Sequence, residues 1–578
     1  MRKLLRFLKP YRAESVLGPL FKMLEALFEL FIPLVVADIV DVGIKNGDSA
    51  YIWQRCGVMI LLGVIGLICS ITAQYFSAKA AVGMATGLRR ALFAKIGRLS
   101  FSNTDRFGTS TLLSRSTADV NQIQSTVNMV LRLFLRSPFI VFGAMIMSFT
   151  VSPRAAVTFT VTIPALFVVV FGVMLISIPM FRRVQAKLDR VLCLTRENLS
   201  GTRVVRAFAR EKDSYDEFRA TNRELTKLQK FTGRFSALLN PVTYVIINFS
   251  ILMIIWKGGV EVNLGNLQQG QVIALYNYMS QILVELIKMA NFIILITKAC
   301  ACAIRVNEVL DTPDGMPAGS GARENTDGAR GTVEFRDVSL SYFKDSDTAL
   351  SHISLLAKSG EVIGVIGGTG SGKSSLVNLI PRLYDVTGGA VLVDGTDVRD
   401  FATPEELRRK IGMVPQKAEL FAGTIRDNLR FGKKDATDEE MYAALDAAVA
   451  GEFVRSKPGG LDFRLEQAGR NLSGGQKQRL TIARALVRQP EILILDDSAS
   501  ALDYATDAAL RASIKALPYH PTVFIVSQRT ASLSGADKIL VLEDGAAVGL
   551  GKHEELLVSC PVYKEIYESQ FGTKEVGA

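Results

Sequence analysis

The segment GGTGSGKS at positions 367–374 has the residue types and the spacing that close around phosphate groups. Its glycines allow backbone N–H groups to point at phosphate oxygens where a helix begins, and Lys373 supplies a cation for the β and γ phosphates. The hydroxyl of Ser374 is a ligand for Mg²⁺. The sequence therefore predicts a magnesium-dependent nucleotide site, with the candidate binding residues Gly367, Gly368, Thr369, Gly370, Ser371, Gly372, Lys373, Ser374 and Ser375.

A second motif, ILILD at positions 492–496, is a run of apolar residues that ends in a carboxylate. An acidic residue at the end of a strand is common and has little meaning alone. Together with the phosphate loop, however, Asp496 is the expected second protein ligand for Mg²⁺.

A third motif, LSGGQ at positions 472–476, lies between these two and opens a predicted helix. The backbone N–H groups of Ser473, Gly474 and Gly475 are expected at the positive end of that helix. Such a helix start is a second candidate site for an anion.

The elements that position these motifs are short apolar strands alternating with helical stretches. This alternation is typical of a parallel α/β sheet. The predicted strands span residues 333–335, 361–366, 390–393, 492–495, 522–526 and 539–542.

The first half of the chain has a different composition, with long uncharged runs that each approach the roughly 20 residues needed to cross a bilayer as a helix. A wholly soluble or disordered protein is thereby excluded. Lys and Arg outnumber Asp and Glu by 67 to 56. Beside membrane spans this excess is explained by cytoplasmic loops, and no nucleic-acid partner is expected. Six spans are predicted, at residues 15–42, 57–78, 137–153, 155–181, 235–256 and 272–301.

The long basic segments at 79–136 and 182–234 are predicted to be cytoplasmic, which places the amino terminus on the same side. A linker rich in Gly and Pro is predicted at 311–330. The expected domains are therefore a transmembrane domain at 1–310 and, after the linker, a nucleotide-binding domain at 331–578 that contains a helical subdomain.

The chain resembles the ATP-binding cassette (ABC) transporters, because LSGGQ stands between the phosphate loop and ILILD. The resemblance covers almost the whole chain, since ENLSGTRVVRAF at 197–208 and DVNQ at 119–122 are similar to that family's intracellular helices. Six spans followed by one nucleotide-binding domain look like an exporter half-transporter.

The resemblance implies roles for further residues. Tyr342 would stack on adenine, and Gln416 would be a third Mg²⁺ ligand that also contacts the γ-phosphate. In this family two nucleotide-binding domains pair head to tail, so that each ATP lies between one chain's phosphate loop and the other chain's LSGGQ. A single copy of each motif here implies a second half-transporter as partner.

Two positions depart from the family's pattern. Asp497 stands where a catalytic glutamate is usual, and Gln528 stands where a histidine usually contacts the γ-phosphate. A shift of about 1 Å in a catalytic group can cost on the order of 100-fold in rate. The two residues are either functional variants or the mark of a catalytically weakened site, and we favour the second interpretation because LSGGQ is intact.

Charged residues inside the predicted spans are candidates for a substrate cavity, because charge is costly in a membrane. Glu25 and Glu29 share one helical face, and Glu285 lies three positions before Lys288. The alternative is that these charges only neutralise one another or, for the first pair, Lys22.

The predicted function is one half of a heterodimeric, ATP-driven exporter in a prokaryotic plasma membrane, active as an ATP hydrolase together with its partner. A homodimer with slow, symmetric hydrolysis and a nucleotide-gated channel or regulatory subunit are the alternatives. The sequence does not name the exported small molecule, lipid or peptide. The six cysteines show no metal-ligand spacing and are interpreted as small apolar residues.

Overall fold

The computed structural model describes residues 2–316, 319, 321, 330–342 and 347–571. The chain forms two compact units, one of Met1–Gly97 with Phe107–Thr312 and one of Arg98–Arg106 with Pro313–Ala578. Part of the predicted linker, namely residues 317, 318, 320 and 322–329, lies outside the described residues.

The first unit is entirely helical in its described residues. A 3₁₀ segment, Arg2–Tyr11, precedes α1, and π-helical turns occur at Ile39–Ile44 and Arg115–Asp119. The α-helices up to residue 311, of which α3 belongs to the second unit except for its last residue, are α1 Arg12–Asp38, α2 Ser49–Ile96, α3 Phe101–Phe107, α4 Thr109–Ser114, α5 Val120–Leu133, α6 Arg136–Val151, α7 Pro153–Ser200, α8 Thr202–Ala207, α9 Glu211–Ala237, α10 Leu239–Asn263 and α11 Gln269–Asp311.

The boundary between α6 and α7 follows from local sequence. Ser152 precedes Pro153, which disfavours helical backbone at Ser152, and its φ and ψ are −158° and 110°. The Ser152 hydroxyl accepts a hydrogen bond from the N–H of Ala155, so it caps the new helix. The third and fourth predicted spans are separated at this point.

Four continuous helical stretches in the described part of the chain are long and apolar enough to cross a membrane: Ser49–Ile96, Thr109–Val151, Pro153–Ser200 and Glu211–Asn263. These contain the second, fourth and fifth predicted spans and all but the last two residues of the third. The first predicted span covers most of α1 and part of the π-helical turn after it, and the sixth lies in α11. Both carry more charge, and the predicted count of six is not confirmed.

The second unit is built on a sheet that has ten strands among the described residues, in the order β5-β4-β1-β2-β12-β11-β3-β10-β9-β6. A small pair, β7 and β8, lies apart from it. The strands are β1 Val333–Leu340, β2 Leu350–Ala357, β3 Val362–Gly367, β4 Gly388–Val393, β5 Thr396–Asp397, β6 Ile411–Val414, β7 Gly423–Thr424, β8 Arg464–Leu465, β9 Ile492–Asp496, β10 Thr522–Val526, β11 Lys538–Glu543 and β12 Ala546–Gly551.

The parallel pairing that the alternation of strands and helices predicts is found in one half of the sheet and not in the other. Neighbours β6, β9, β10, β3 and β11 are parallel, but β1 pairs antiparallel with both β2 and β4. The reason lies in burial: β9 and β10 are buried at every position, as parallel strands covered on both faces must be, whereas β2 alternates buried and more exposed positions over most of its length.

Helices of the second unit lie between its strands, and α12 and α18 directly follow the parallel strands β3 and β9. A helical subdomain lies between β6 and β9, where α14 to α17 contribute to one hydrophobic core with β9 and β10. A helical first half followed by an α/β second half is therefore confirmed. The helices are α12 Lys373–Leu379, α13 Pro404–Arg409, α14 Ile425–Arg430, α15 Asp438–Ala447, α16 Gly451–Arg455, α17 Gly474–Leu486, α18 Tyr504–Lys515, α19 His553–Ser559 and α20 Pro561–Phe571.

An ion-pair cluster joins three helices of the first unit, α1, α6 and α11. The Arg136 guanidinium lies 2.7 Å from a carboxylate oxygen of Glu29 and 2.7 Å from one of Glu285. Glu285 also accepts hydrogen bonds from Ser137 at 2.6 Å and from Lys288 at 2.9 Å. Glu29, Arg136, Glu285 and Lys288 therefore form a cluster with no net charge, which lowers the cost of placing it in an apolar domain.

We expect Arg136→Ala to destabilise the protein by about 3–5 kcal/mol, because it leaves the buried Glu285 carboxylate short of a partner. The measurement is the thermal unfolding temperature in detergent. The matched control is Arg154→Ala, since Arg154 is paired with Glu261 at 3.3 Å but has a side chain that is 75% exposed. Equal shifts in the two variants would contradict this prediction.

Candidate functional site

The phosphate loop connects the buried strand β3 to α12 and depends on backbone conformations that favour glycine. Gly370 and Gly372 have φ values of 87° and 92°. A Cβ at Gly372 would lie 2.6 Å from the carbonyl oxygen of Ala349, so no larger residue fits there. The loop therefore keeps the open backbone that a phosphate group requires.

Lys373 begins α12 and folds its side chain back over the loop. Its buried ammonium donates to the carbonyl oxygens of Gly367 at 2.9 Å and Gly368 at 2.6 Å. Burial lowers the pKa of Lys373, while the carboxylates of Asp497 and Asp496 act in the opposite direction. Ser371 Oγ in the same loop is buried and has no hydrogen-bond partner among the described residues. A cation and an unsatisfied hydroxyl beside an open backbone fit a polyphosphate.

Asp496 ends β9 beside the first turn of α12. The hydroxyl of Ser374 donates to its carboxylate at 3.0 Å. Burial raises the pKa of Asp496, and the hydrogen bond from Ser374 opposes this shift. A bound dication would favour the ionised carboxylate in the same way.

The oxygen atoms of Ser374 and Asp496 fit Mg²⁺, which prefers oxygen ligands and is usually held by one or two carboxylates together with substrate phosphates. No group of three or more His, Cys, Asp or Glu side chains in the described ranges could hold a metal by itself. The remaining ligands would therefore be phosphate oxygens, water and, by the family resemblance, Gln416.

The structure brings Gln416 and Asp497 together. The Gln416 amide donates to the Asp497 carboxylate at 3.3 Å. Asp497 has a φ of 47°, in the left-handed region, and its N–H donates to the carbonyl of Val526 at 3.0 Å. The carboxylate is therefore positioned by a turn whose backbone is anchored to the neighbouring strand.

Gln528 lies two residues beyond the end of β10. In the parallel register Val526 is opposite Asp496, so Gln528 follows the strand next to the one that carries both aspartates. It is exposed, and its backbone carbonyl accepts a hydrogen bond from the Gln570 side chain at 2.6 Å. Sequence reasoning did not identify this contact with α20.

Tyr342 lies beside the phosphate loop, where its hydroxyl is 2.8 Å from that of Ser375. Its ring meets the Tyr384 ring edge-on, with 5.0 Å between centroids. The Tyr384 hydroxyl donates to Asp105 at 2.7 Å. Sequence reasoning missed Tyr384 and Asp105, because nothing in their spacing relates them to the nucleotide motifs.

The LSGGQ motif forms the start of α17. Ser473 caps this helix: its hydroxyl accepts from the Gln476 N–H at 3.3 Å, and the Gln476 side chain accepts from the Ser473 N–H at 3.1 Å. Ser473 and Gly474 are exposed, and a Cβ at Gly474 would meet nothing within 4 Å. At Gly475 a Cβ would lie 3.3 Å from the carbonyl of Ala501. The helix start is therefore exposed, with open space in front of Gly474.

In the first unit, the predicted cavity residues separate into two groups. Glu25 pairs with Lys22 at 2.5 Å, as the neutralisation alternative expected. Glu29, Glu285 and Lys288 instead meet in the ion-pair cluster around Arg136. Sequence reasoning gave Arg136 no role, because its partners are more than 100 positions away along the chain.

The two halves of the chain match two different family models. Residues 15–286 match the model of the ABC transporter transmembrane region. Residues 350–500 match the ABC transporter family model. The second match contains the phosphate loop, LSGGQ and ILILD.

Relatives match over most of their length. An uncharacterized ABC transporter ATP-binding protein of Mycobacterium tuberculosis is 40% identical, over 99% of this chain and 98% of the relative. An ATP-dependent lipid A-core flippase of Desulfotalea psychrophila is 34% identical, over 83% of this chain and 84% of the relative.

The fold is also that of a solved exporter. The structure of a bacterial Atm1-family ABC exporter with ATP bound superposes with a TM-score of 0.79, covering 97% of this chain and 98% of the other, at 22% sequence identity. The chain therefore belongs to the ABC transporter superfamily, as a multi-pass exporter half-transporter with a transmembrane region followed by one ATP-binding domain.

Proposed function

We propose that this chain is one half of a heterodimeric ABC exporter and that its own ATP site is catalytically weakened. The observation that carries the proposal is the combination of Asp497 and Gln528 at the ends of neighbouring strands with an intact, well-capped LSGGQ helix. If the whole chain had lost its function, we would expect changes in the LSGGQ motif as well as at Asp497 and Gln528.

The proposal for Asp497 depends on the length of its side chain. An aspartate carboxylate is one methylene nearer the backbone than that of glutamate, and the backbone of Asp497 is fixed by its hydrogen bond to Val526. The side chain also accepts from Gln416. A base that is both short and engaged in this way is poorly placed to polarise an attacking water.

The proposal for Gln528 depends on the charge that a histidine can carry at this position and a glutamine cannot. A histidine can carry a positive charge near neutral pH and stabilise the charge on a transferring phosphoryl group, whereas a glutamine amide is always neutral and can offer that group only an uncharged hydrogen-bond donor. The two substitutions weaken the general base and the electrostatic stabilisation of the same site. Binding of ATP depends on other groups, which are present: Lys373, Ser374 and Asp496.

The LSGGQ helix is proposed to act in the other ATP site of the dimer. There, Ser473, Gly474 and Gly475 would donate to the γ-phosphate held by the partner's phosphate loop, which needs an exposed helix start with room in front of it. The partner would supply the glutamate and the histidine. In this arrangement one site hydrolyses ATP rapidly and the other mainly binds it.

Binding of ATP is proposed to favour the closed pair of ATP-binding domains, and that state in turn favours an outward-facing membrane cavity. We further propose a transmembrane domain at 1–310, a linker at 311–330 and a nucleotide-binding domain at 331–578. The amino terminus and the ATP-binding domain would lie in the cytoplasm, on the inner side of the plasma membrane.

The weakened site should still depend on Lys373 for nucleotide. We expect Lys373→Ala to weaken ATP binding at this chain's own site, because it removes the buried cation that faces the loop. The measurement is photolabelling of this chain by an azido-ATP, titrated at low temperature. Lys515→Ala, an exposed lysine of the same unit, is the charge-matched control. Unchanged labelling in Lys373→Ala would contradict the site assignment.

The asymmetry predicts unequal effects of two variants on total ATPase activity, each measured on the complex with the wild-type partner. Asp497→Asn should lower the activity only modestly, because its site already turns over slowly. Ser473→Ala should lower it on the order of 100-fold, because it removes the hydroxyl, whose O–H can donate to the γ-phosphate while its oxygen accepts from the Gln476 N–H. Deletion of one preorganised donor has an effect of this size at other catalytic centres.

The control for Ser473→Ala is Ser534→Ala, an exposed serine whose hydroxyl bonds only to the carbonyl of Ala531 among the contacts the structure gives. Near-total loss in Asp497→Asn with little effect in Ser473→Ala would mean that the two sites are assigned the wrong way round. High ATPase activity of this chain purified without a partner would support the homodimer instead.

A further inference from the structure

A cavity of about 460 Å³ lies in the first unit, between α1, α6 and α11. This volume is in the range of small-molecule sites in proteins. One part of its wall is apolar, with Ile32, Val36, Ile140 and Val284. The other part is polar and contains Glu29, Gln281 and Lys288. A molecule that fills the cavity therefore meets both an apolar and a charged surface.

The ion-pair cluster determines which charges such a molecule can reach. Arg136 and Glu285 are hidden, with side chains that are 9% and 4% exposed. Glu29 and Lys288 are accessible, at 38% and 43%. Each accessible group is paired with a hidden one, so the cavity offers one carboxylate and one ammonium that retain free hydrogen-bonding capacity.

A neutral polar group adds to this arrangement. The side-chain oxygen of Gln281 is buried and has no hydrogen-bond partner among the described residues. Buried acceptors are nearly always satisfied by protein or water, so this oxygen on the cavity wall is an acceptor that the protein itself leaves available to a donor in the cavity. Gln281 therefore favours a ligand with N–H or O–H groups.

We propose that this cavity binds a zwitterionic amphiphile, with its ammonium at Glu29 and Gln281, its anionic group at Lys288 and its apolar chain along Ile32, Val36 and Val284. A purely cationic amphiphile would be repelled by Lys288, and a purely anionic one by Glu29. This proposal names the class of exported molecule. It depends on the proposed export function only because it takes the cavity to be the site where that molecule binds.

The test is equilibrium binding to the full-length protein, assembled with its partner in an uncharged alkyl maltoside detergent without nucleotide. A fluorescent lysophosphatidylethanolamine is displaced by unlabelled competitors with the same chain length: lysophosphatidylethanolamine, a primary alkylammonium and lysophosphatidic acid. We expect the zwitterion to compete about tenfold more strongly than either singly charged compound, a difference of about 1.4 kcal/mol.

Two variants should each remove one part of this preference. Glu29→Gln should remove the advantage of the zwitterion over lysophosphatidic acid, and Lys288→Gln should remove its advantage over the alkylammonium. The matched controls are Glu224→Gln and Lys187→Gln, which change the same charges in an exposed pair 2.6 Å apart on α9 and α7. These controls should keep the wild-type preference.

A preference that is the same in wild type, Glu29→Gln and Lys288→Gln would overturn the proposal. Glycerophosphoethanolamine, which has the same head group without a chain, separates a lipid-like cargo from a small zwitterion. Competition as strong as that of the lysolipid would show that the apolar wall contributes nothing and that the amphiphile is the wrong class. Because no ATP is present, these results are independent of how hydrolysis is shared between the two ATP sites.

Discussion

The parallel pairing of β3, β10 and β9 is the constraint on which the ATP site depends. Val365 lies opposite Val526, and Val526 lies opposite Asp496, so the three strands end at the same edge of the sheet. Side chains that follow parallel strands are thereby gathered at one place, which is where open α/β sheets bind their ligands. The phosphate loop, the aspartates after β9 and Gln528 are distant from one another in sequence, and this register brings them to the same edge of the sheet.

The same construction separates the two contributions that this chain makes in the proposed dimer. The groups after β3, β9 and β10 serve the chain's own nucleotide, whereas the exposed start of α17 lies on the helical subdomain and is offered to another chain. Substitutions at Asp497 and Gln528 can therefore weaken one site without disturbing the other.

In the first unit the constraint is electrostatic, because charges buried in an apolar domain must balance one another. The ion-pair cluster around Arg136 meets that requirement.

The motifs that carry ATP chemistry could be predicted because each is local: a strand, a loop and a helix start that are contiguous in sequence. The antiparallel half of the sheet, the Tyr384 contact with Tyr342 and the role of Arg136 could not. The two side-chain contacts depend on residues that the fold brings together from separate segments, such as 149 positions between Arg136 and Glu285. For Glu285 and Lys288, spacing correctly indicated a pair but gave no sign of the third and fourth members of the cluster.

The central claim is that the two ATP sites of the assembled exporter differ in hydrolysis. The most direct measurement is a single-turnover experiment in which azido-ATP labelled at the α-phosphate is bound, allowed to react and then photocrosslinked, after which the nucleotide attached to each chain is identified. The account predicts mostly unhydrolysed triphosphate on this chain and diphosphate on its partner. Equal amounts of diphosphate on both chains would contradict it.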